Sequence, residues 1–96
     1  MPSISLDLNE KNHGAFILLE DSKKMGEMVV SIKDKALTVY HTEVAPEAEG
    51  KGFAKLLLAE MVKHAREQQL KVIPLCEFVF AQFKRHPDEY ADIWQK

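Results

Sequence analysis

The spacing of apolar residues changes period after residue 44, and that change constrains the fold more than any other feature. Up to residue 44 the apolar positions recur with the period of strands. Ile4, Leu6 and Leu8 interleave with Ser3, Ser5 and Asp7, the two-residue repeat of a strand with one buried face. Residues 15–19, AFILL, are a short apolar run suited to a more buried strand. A polar turn over 20–24 leads to a third strand over 26–32, carrying Met28, Val29, Val30 and Ile32. After a tight link at Lys33, Asp34 and Lys35 a fourth strand runs over Ala36–Val44. Its alternation puts Leu37, Val39 and His41 on one side and Thr38, Tyr40, Thr42 and Val44 on the other. Short links between successive strands imply an antiparallel meander.

Residues 45–52 form a loop with Pro46, Gly50 and Gly52, and beyond it the repeat is helical. Ala54, Leu57, Leu58, Met61, Val62 and Ala65 make one apolar stripe over 53–69, with Lys55, Lys63, Arg66 and Glu67 off it. Residues 70–75, LKVIPL, read as a fifth strand, which a crossover helix sets parallel to the fourth. Pro74 carries no N–H, so it belongs at an edge or where pairing breaks. A second helix over Glu77–Arg85 has Phe80 and Phe83 available for its core face, and a short helical turn is expected over 89–94. The predicted class is α+β, a mixed sheet with two main helices against it. With 96 residues and no repeat or linker, the chain reads as one domain over residues 1–96.

Composition excludes several functions. The net charge of -2 shows no basic excess, so nucleic acid is not an expected partner. No apolar run reaches the roughly 20 residues of a membrane span. The first ten residues lack the basic start and apolar stretch of a secretory signal, so a cytoplasmic protein without a membrane partner is expected. A monomer is the expected state. The single cysteine, Cys76, leaves no internal disulfide and no cysteine-rich zinc site, and the distant His64 and His86 do not make a metal site.

The segment Glu49-Gly50-Lys51-Gly52-Phe53-Ala54-Lys55 follows a strand and opens a helix. Its glycines let the backbone turn sharply and let a ligand approach bare N–H groups. The helix start adds unpaired donors and a positive dipole end, and Lys51 and Lys55 add charge. These features together suit a pyrophosphate. No full GxxxxGK[ST] motif is present, and Lys55 stands where a third glycine would complete GxGxxG. The plainer reading is a strand-to-helix connection whose glycines serve turn geometry alone.

This loop resembles the acetyl-CoA loop of the GNAT acetyltransferase superfamily, Gln/Arg-x-x-Gly-x-Gly/Ala. Gly52 and Ala54 match, while Glu49 stands where Gln or Arg is usual, a departure that touches one side chain and not the backbone donors. The run His41-Thr42-Glu43-Val44, then Pro46, Gly50-Lys51-Gly52, Ile73-Pro74-Leu75-Cys76 and Arg85-His86-Pro87 is similar to a minimal, single-domain GNAT-like subfamily. That subfamily's His-Pro-Glu-Tyr appears here with one extra residue, as His86-Pro87-Asp88-Glu89-Tyr90. The resemblance implies that strands four and five are parallel but splayed. It also implies that coenzyme A or acetyl-CoA is the cofactor. The pantetheine arm would pair with strand four near Val44, and the pyrophosphate would rest on Gly50, Lys51, Gly52, Phe53, Ala54 and Lys55. The reactive end would then meet Cys76.

Acetyl transfer needs a neutral amine, hence a base, and a fixed donor for the carbonyl oxygen as charge builds. Cys76 ends strand five. It offers a nucleophile or a proton donor to the leaving thiolate, and the simple alternative is a small buried hydrophobe. His41 offers a general base, or is a sheet histidine with a hydrogen-bonded ring. Glu43, on the same face as His41, orients it, acts as the base, or is solvated. Full-length GNAT enzymes often carry a tyrosine acid on the helix after strand five. Phe83 occupies that position by approximate spacing, and Tyr90 lies further on. Between strands one and two only residues 9–14 intervene, so the acceptor side is expected to be open. Such a side suits an exposed peptide or lysine better than an enclosed metabolite, and the expected acceptor is an amine, a protein lysine or a small polyamine. The leading reading is an N-acetyltransferase, and the alternative is a non-catalytic coenzyme A-binding or acyl-CoA-sensing module.

Overall fold

The computed structural model describes residues 2–95. Met1 and Lys96, which the expected single domain includes, lie outside the described residues. The elements are β1 (Ser3–Leu8), β2 (His13–Glu20), β3 (Lys23–Lys33), β4 (Ala36–Val44), α1 (Phe53–Glu67), β5 (Lys71–Pro74), α2 (Glu77–Arg85) and α3 (Pro87–Tyr90). A 3₁₀ turn at Pro46–Ala48 precedes α1. The sheet order is β1-β2-β3-β4-β5, antiparallel through β4, with β5 parallel to β4. The α+β class and the parallel pair at the end of a meander are therefore as the sequence indicates.

Two hairpins turn on paired left-handed residues, Asp21 and Ser22 (φ 52° and 66°) and Asp34 and Lys35 (φ 50° and 67°). Two positive φ angles in succession match the right-handed twist of the flanking strands. At the far end of β1, Leu8 opposes Gly14. A Cβ on Gly14 would sit 1.8 Å from the Asp7 carbonyl oxygen, so only glycine lets the chain return this closely.

One sheet face carries both long helices. Phe16, Leu18, Met28, Val30, Leu37 and Val39 of the sheet are buried with Leu57, Met61 and Ala65 of α1 and Val79 and Phe83 of α2. Val79 and Phe83 lie four residues apart and share a helix face. Phe80, one step round the helix, is 44% exposed and is not a core residue. The short helix ends at Tyr90 rather than continuing to residue 94. The chain instead returns beside β5, where Val72 N–H donates to the Ile93 carbonyl and Gln95 N–H donates to the Val72 carbonyl. The outer edge of β5 needs backbone partners, and this return supplies them. Arg66 anchors it through the Asp92 carboxylate (2.9 Å) and the Glu89 carbonyl (2.7 Å).

A bulge in β4 corrects the expected facing of that strand. Val30 opposes Val39 but Val29 opposes His41, so Tyr40 is an extra residue. Met28 and Val30 share the buried face. Thr42, opposite Met28, therefore shares a face with Leu37 and Val39, and Val44 follows. His41 and Glu43 take the opposite, helix-free face. Tyr40 is held there by a 2.8 Å hydrogen bond between its hydroxyl and that of Ser31.

Replacing Gly14 with alanine should cost about 1–3 kcal/mol, the scale of forced overpacking, measured by urea denaturation. The hydrogen bond from Arg66 holds the Asp92 carboxyl below its ordinary range. A depressed folded value means the stabilisation is present above the unfolded pKa and is lost as pH falls through the folded one. Both side chains are about half exposed, so the pair is worth at most about 1 kcal/mol. Asp92→Asn should flatten the acid limb of the stability profile by that amount and leave the alkaline limb unchanged.

Candidate functional site

The turn into α1 is built around two left-handed glycines, Gly50 (φ 86°) and Gly52 (φ 77°). Gly52 is the N-cap of α1 and supplies no side-chain cap. Serine or aspartate at that position would satisfy a first-turn N–H itself, and glycine leaves those donors open. Among the described residues the N–H groups of Gly50, Gly52, Phe53, Ala54 and Lys55 have no acceptor, and the Lys51 N–H alone turns inward to the Ala48 carbonyl at 3.2 Å. The Lys51 ammonium lies 3.1 Å from a Glu20 carboxylate oxygen, so its charge is shared with β2. Lys23 and Glu47 pair at 2.7 Å beside it and tie the β2–β3 turn to the 3₁₀ turn. Their hydrogen bond raises the Lys23 ammonium above, and lowers the Glu47 carboxyl below, the usual range. Lys55 has no carboxylate partner among the described residues.

Below this turn lies a hollow of about 460 Å³. Val44, Ala48, Phe53, Ala54 and Phe78 are its apolar lining, and Glu49, Gly50, Gly52 and Lys55 complete it, so one carboxylate and one ammonium both border the hollow. It is open and has donors at one end and an apolar floor, which fits a diphosphate with a less polar arm attached.

The arm would need a path, and the sheet has one. β5 pairs with β4 over Ala36 to Val39, and β4 continues to Val44 with no strand beside it on that side among the described residues. Pairing ends at Pro74, which has no N–H to give. The next two donors, Leu75 N–H and Cys76 N–H, both fold onto the Val39 carbonyl at 3.0 and 2.9 Å. Ala45 N–H bonds to Met25 O on β3. Because antiparallel ladders alternate, Glu43 and His41 also turn their backbone groups toward β3. The backbone groups of Thr42 and Val44 then face the gap.

Cys76 stands at the head of this gap. Its side chain is buried, it is the N-cap residue of α2, and its sulfur lies 3.3 Å from the Thr42 hydroxyl. The contact spans the two strands just past their parting. His41 and Glu43 do not join Cys76. They lie on the opposite sheet face, both exposed. Glu43 directly opposes Glu27, whose charge is met by Lys24. Tyr40 (46%) and Leu75 (63%) are exposed. Phe83 is fully buried, stacked 4.6 Å from Tyr90, and burial raises the Tyr90 phenol above its usual range. Tyr90 lines a different groove, between the helices.

Thr42 is the residue that sequence reasoning passed over. Its inward turn depends on one extra residue in β4, and a bulge leaves no mark in an apolar alternation this short. Phe78 was also missed, because its role depends on how α2 lies against the glycine turn.

A family model described as GCN5-related N-acetyl-transferase matches residues 15–93. A GCN5-like protein of Staphylococcus aureus, solved by NMR, is similar with a TM-score of 0.68 at 27% identity, over 95% of this chain and 87% of that one. The ribosomal-protein-S18-alanine N-acetyltransferase of Escherichia coli shares the fold at a TM-score of 0.70 and 12% identity, over 77% of this chain and 66% of that one. The N-acetylglutamate synthase of Neisseria gonorrhoeae, complexed with coenzyme A and N-acetyl-glutamate, shares it at a TM-score of 0.55 and 21% identity. There 62% of this chain covers 15% of the other. No curated protein matches the chain. Taken with the splayed parallel strands and the uncapped glycine turn, the match over residues 15–93 makes this chain a member of the GCN5-related N-acetyltransferase family.

Proposed function

We propose that this chain binds acetyl-CoA along β4 and the glycine turn and transfers the acetyl group to an exposed amine, a protein lysine or a polyamine. The observation that carries the proposal is the coincidence of two open backbone surfaces. Among the described residues the first-turn amides of α1 have no internal acceptor, and the unpaired edge of β4 at Thr42 and Val44 leads from them toward Cys76. A diphosphate suits the amides, and an amide-bearing arm suits the edge.

Acetyl-CoA, when bound, supplies an acetyl group already activated as a thioester. The chain's residues divide the remaining work by sheet face. On the open face, Glu43 or His41 takes the proton that an attacking amine must lose. On the helical face, Cys76 gives a proton to the departing thiolate, with Thr42 holding the sulfur in place. The Val44 N–H, on the free edge, is the donor available to a carbonyl oxygen as charge develops. This division favours direct transfer, because the amine approaches from the side away from Cys76. The short link over residues 9–12, with no helix between β1 and β2, leaves that approach open.

Titration with coenzyme A in a thermal-shift experiment should raise the melting temperature. A ligand at 100 times its dissociation constant adds about 2.7 kcal/mol of stability. No shift at millimolar coenzyme A would end the proposal. Gly52→Ala should lower both fold stability and coenzyme A affinity, since an L side chain at this φ costs roughly 1–2 kcal/mol. Cys76→Ala should bind coenzyme A normally and transfer acetyl to a lysine peptide at least about tenfold more slowly, within the range of lost acid–base catalysis. Unchanged turnover in that variant would remove Cys76 from the chemistry, and no transfer by the native chain would leave it a coenzyme A binder. Acetyl-cysteine found at position 76 by mass spectrometry would replace direct transfer with a covalent route.

A further inference from the structure

The sheet has two outer edges, and the chain treats them differently. The β5 edge is covered by the return of Ile93 and Gln95, which bond to Val72. The β1 edge is bare among the described residues. Asn9 N–H donates to the His13 carbonyl, and Ser3, Ser5 and Asp7 oppose Leu19, Ile17 and Ala15 in the same register. Antiparallel ladders alternate, so these odd-numbered residues bond to β2, and Ile4, Leu6 and Leu8 turn their N–H and C=O groups outward. Among the described residues those outward groups have no backbone partner. An open edge is ordinarily guarded by a lysine, a proline or a bulge within the strand. Ser3–Leu8 has none of these, and its register with β2 is unbroken.

Beside this edge lies a hollow of about 370 Å³, lined by Pro2, Ile4, Leu56 and Ala59 with Glu60 and Lys63. Bare backbone next to an apolar recess is what an added strand requires, since the main chain supplies affinity and the recess takes an alternate side chain. We propose that the edge pairs with β1 of a second copy, antiparallel about a two-fold axis at Leu6, joining two five-stranded sheets into one. In that register Leu6 faces the partner's Leu6 and Ile4 faces the partner's Leu8, so every outward residue of β1 is bonded in both copies. Ser5 faces the partner's Asp7, and its hydroxyl donates to that carboxylate. The partner's Leu8 arrives beside Ile4, at the mouth of the hollow. Neighbouring registers are worse. Sliding the partner by two residues one way sets Asp7 against the partner's Asp7, a like-charge pair. Sliding it the other way sets Leu8 against the partner's Pro2, which has no N–H to give. The monomer expected from the sequence is then the dilute form of the chain.

Sedimentation equilibrium of the full chain tests this pairing. The average mass should rise from one chain toward two with concentration. Over the same range, amide exchange followed by NMR should slow at Ile4, Leu6 and Leu8, while Ser5 and Asp7, already bonded to β2, should stay slow throughout. Leu6→Pro removes the central donor from both copies and no bond to β2, as an edge strand accepts proline where its N–H faces out. It should weaken the dimer at least about tenfold, the scale of two backbone hydrogen bonds. Ser5 is exposed, so its variants test the register without disturbing the core. Ser5→Asp sets a carboxylate against the partner's Asp7 and should weaken the dimer, and Ser5→Lys should tighten it. A mass of one chain at every concentration, exchange that slows elsewhere, or equal dimer affinity in the two Ser5 variants would overturn the proposal. So would a chain that stays single while an added peptide of another sequence protects the three amides, because the edge would then serve a foreign strand.

Discussion

The parting of β4 from β5 is the constraint on which the rest of this molecule depends. A parallel ladder continues only while each strand supplies donors and acceptors to the other. Pro74 interrupts the supply, and the next two N–H groups converge on the Val39 carbonyl. β5 can then only leave the sheet, and α2 begins at Glu77, three residues after Pro74. β4 runs on to Val44 with one edge unpaired among the described residues. An unpaired edge inside a small protein is an unmet hydrogen-bonding demand, and a ligand with amides of its own can answer it.

The bulge at Tyr40 works with this parting. Without it Thr42 and Val44 would point to the open face, and His41 would point at the helices. With it the gap is lined on the helical side by a hydroxyl, a thiol and an apolar residue, while the imidazole and carboxylate stand on the other side. Two chemical environments are thereby separated by the thickness of one strand. The separation comes from the period of a strand, which is two, so one inserted residue exchanges every side chain beyond it.

The helical face holds the second half of the arrangement. α1 buries Leu57, Met61 and Ala65 on the sheet and turns Lys55 and Lys63 toward the groove beside α2. Its N-terminus keeps open donors because its N-cap is a glycine in the left-handed region. The Lys51–Glu20 and Lys23–Glu47 pairs fasten the loop to the β2–β3 turn without using those donors.

Much of this was legible in the sequence. The change of apolar period after residue 44 marked where the meander gives way to helix, and β1, β4 and α2 have the bounds that their apolar and turn residues suggest. Local rules suffice for such features, because periodicity, proline and glycine act on the chain within a few residues. The glycine turn was legible for the same reason. Three things were not. The facing of Thr42 depends on pairing with β3, the contact between Thr42 and Cys76 joins residues 34 apart, and the groove exists only because α1 and α2 lie on the same face. Each is a relation between segments. The sequence by itself determined which segments are strands and helices and where the bare amides lie, through local sterics and hydrogen-bonding capacity. Only the tertiary structure decided which side chains share a face or a cavity, because that depends on register and packing across the sheet.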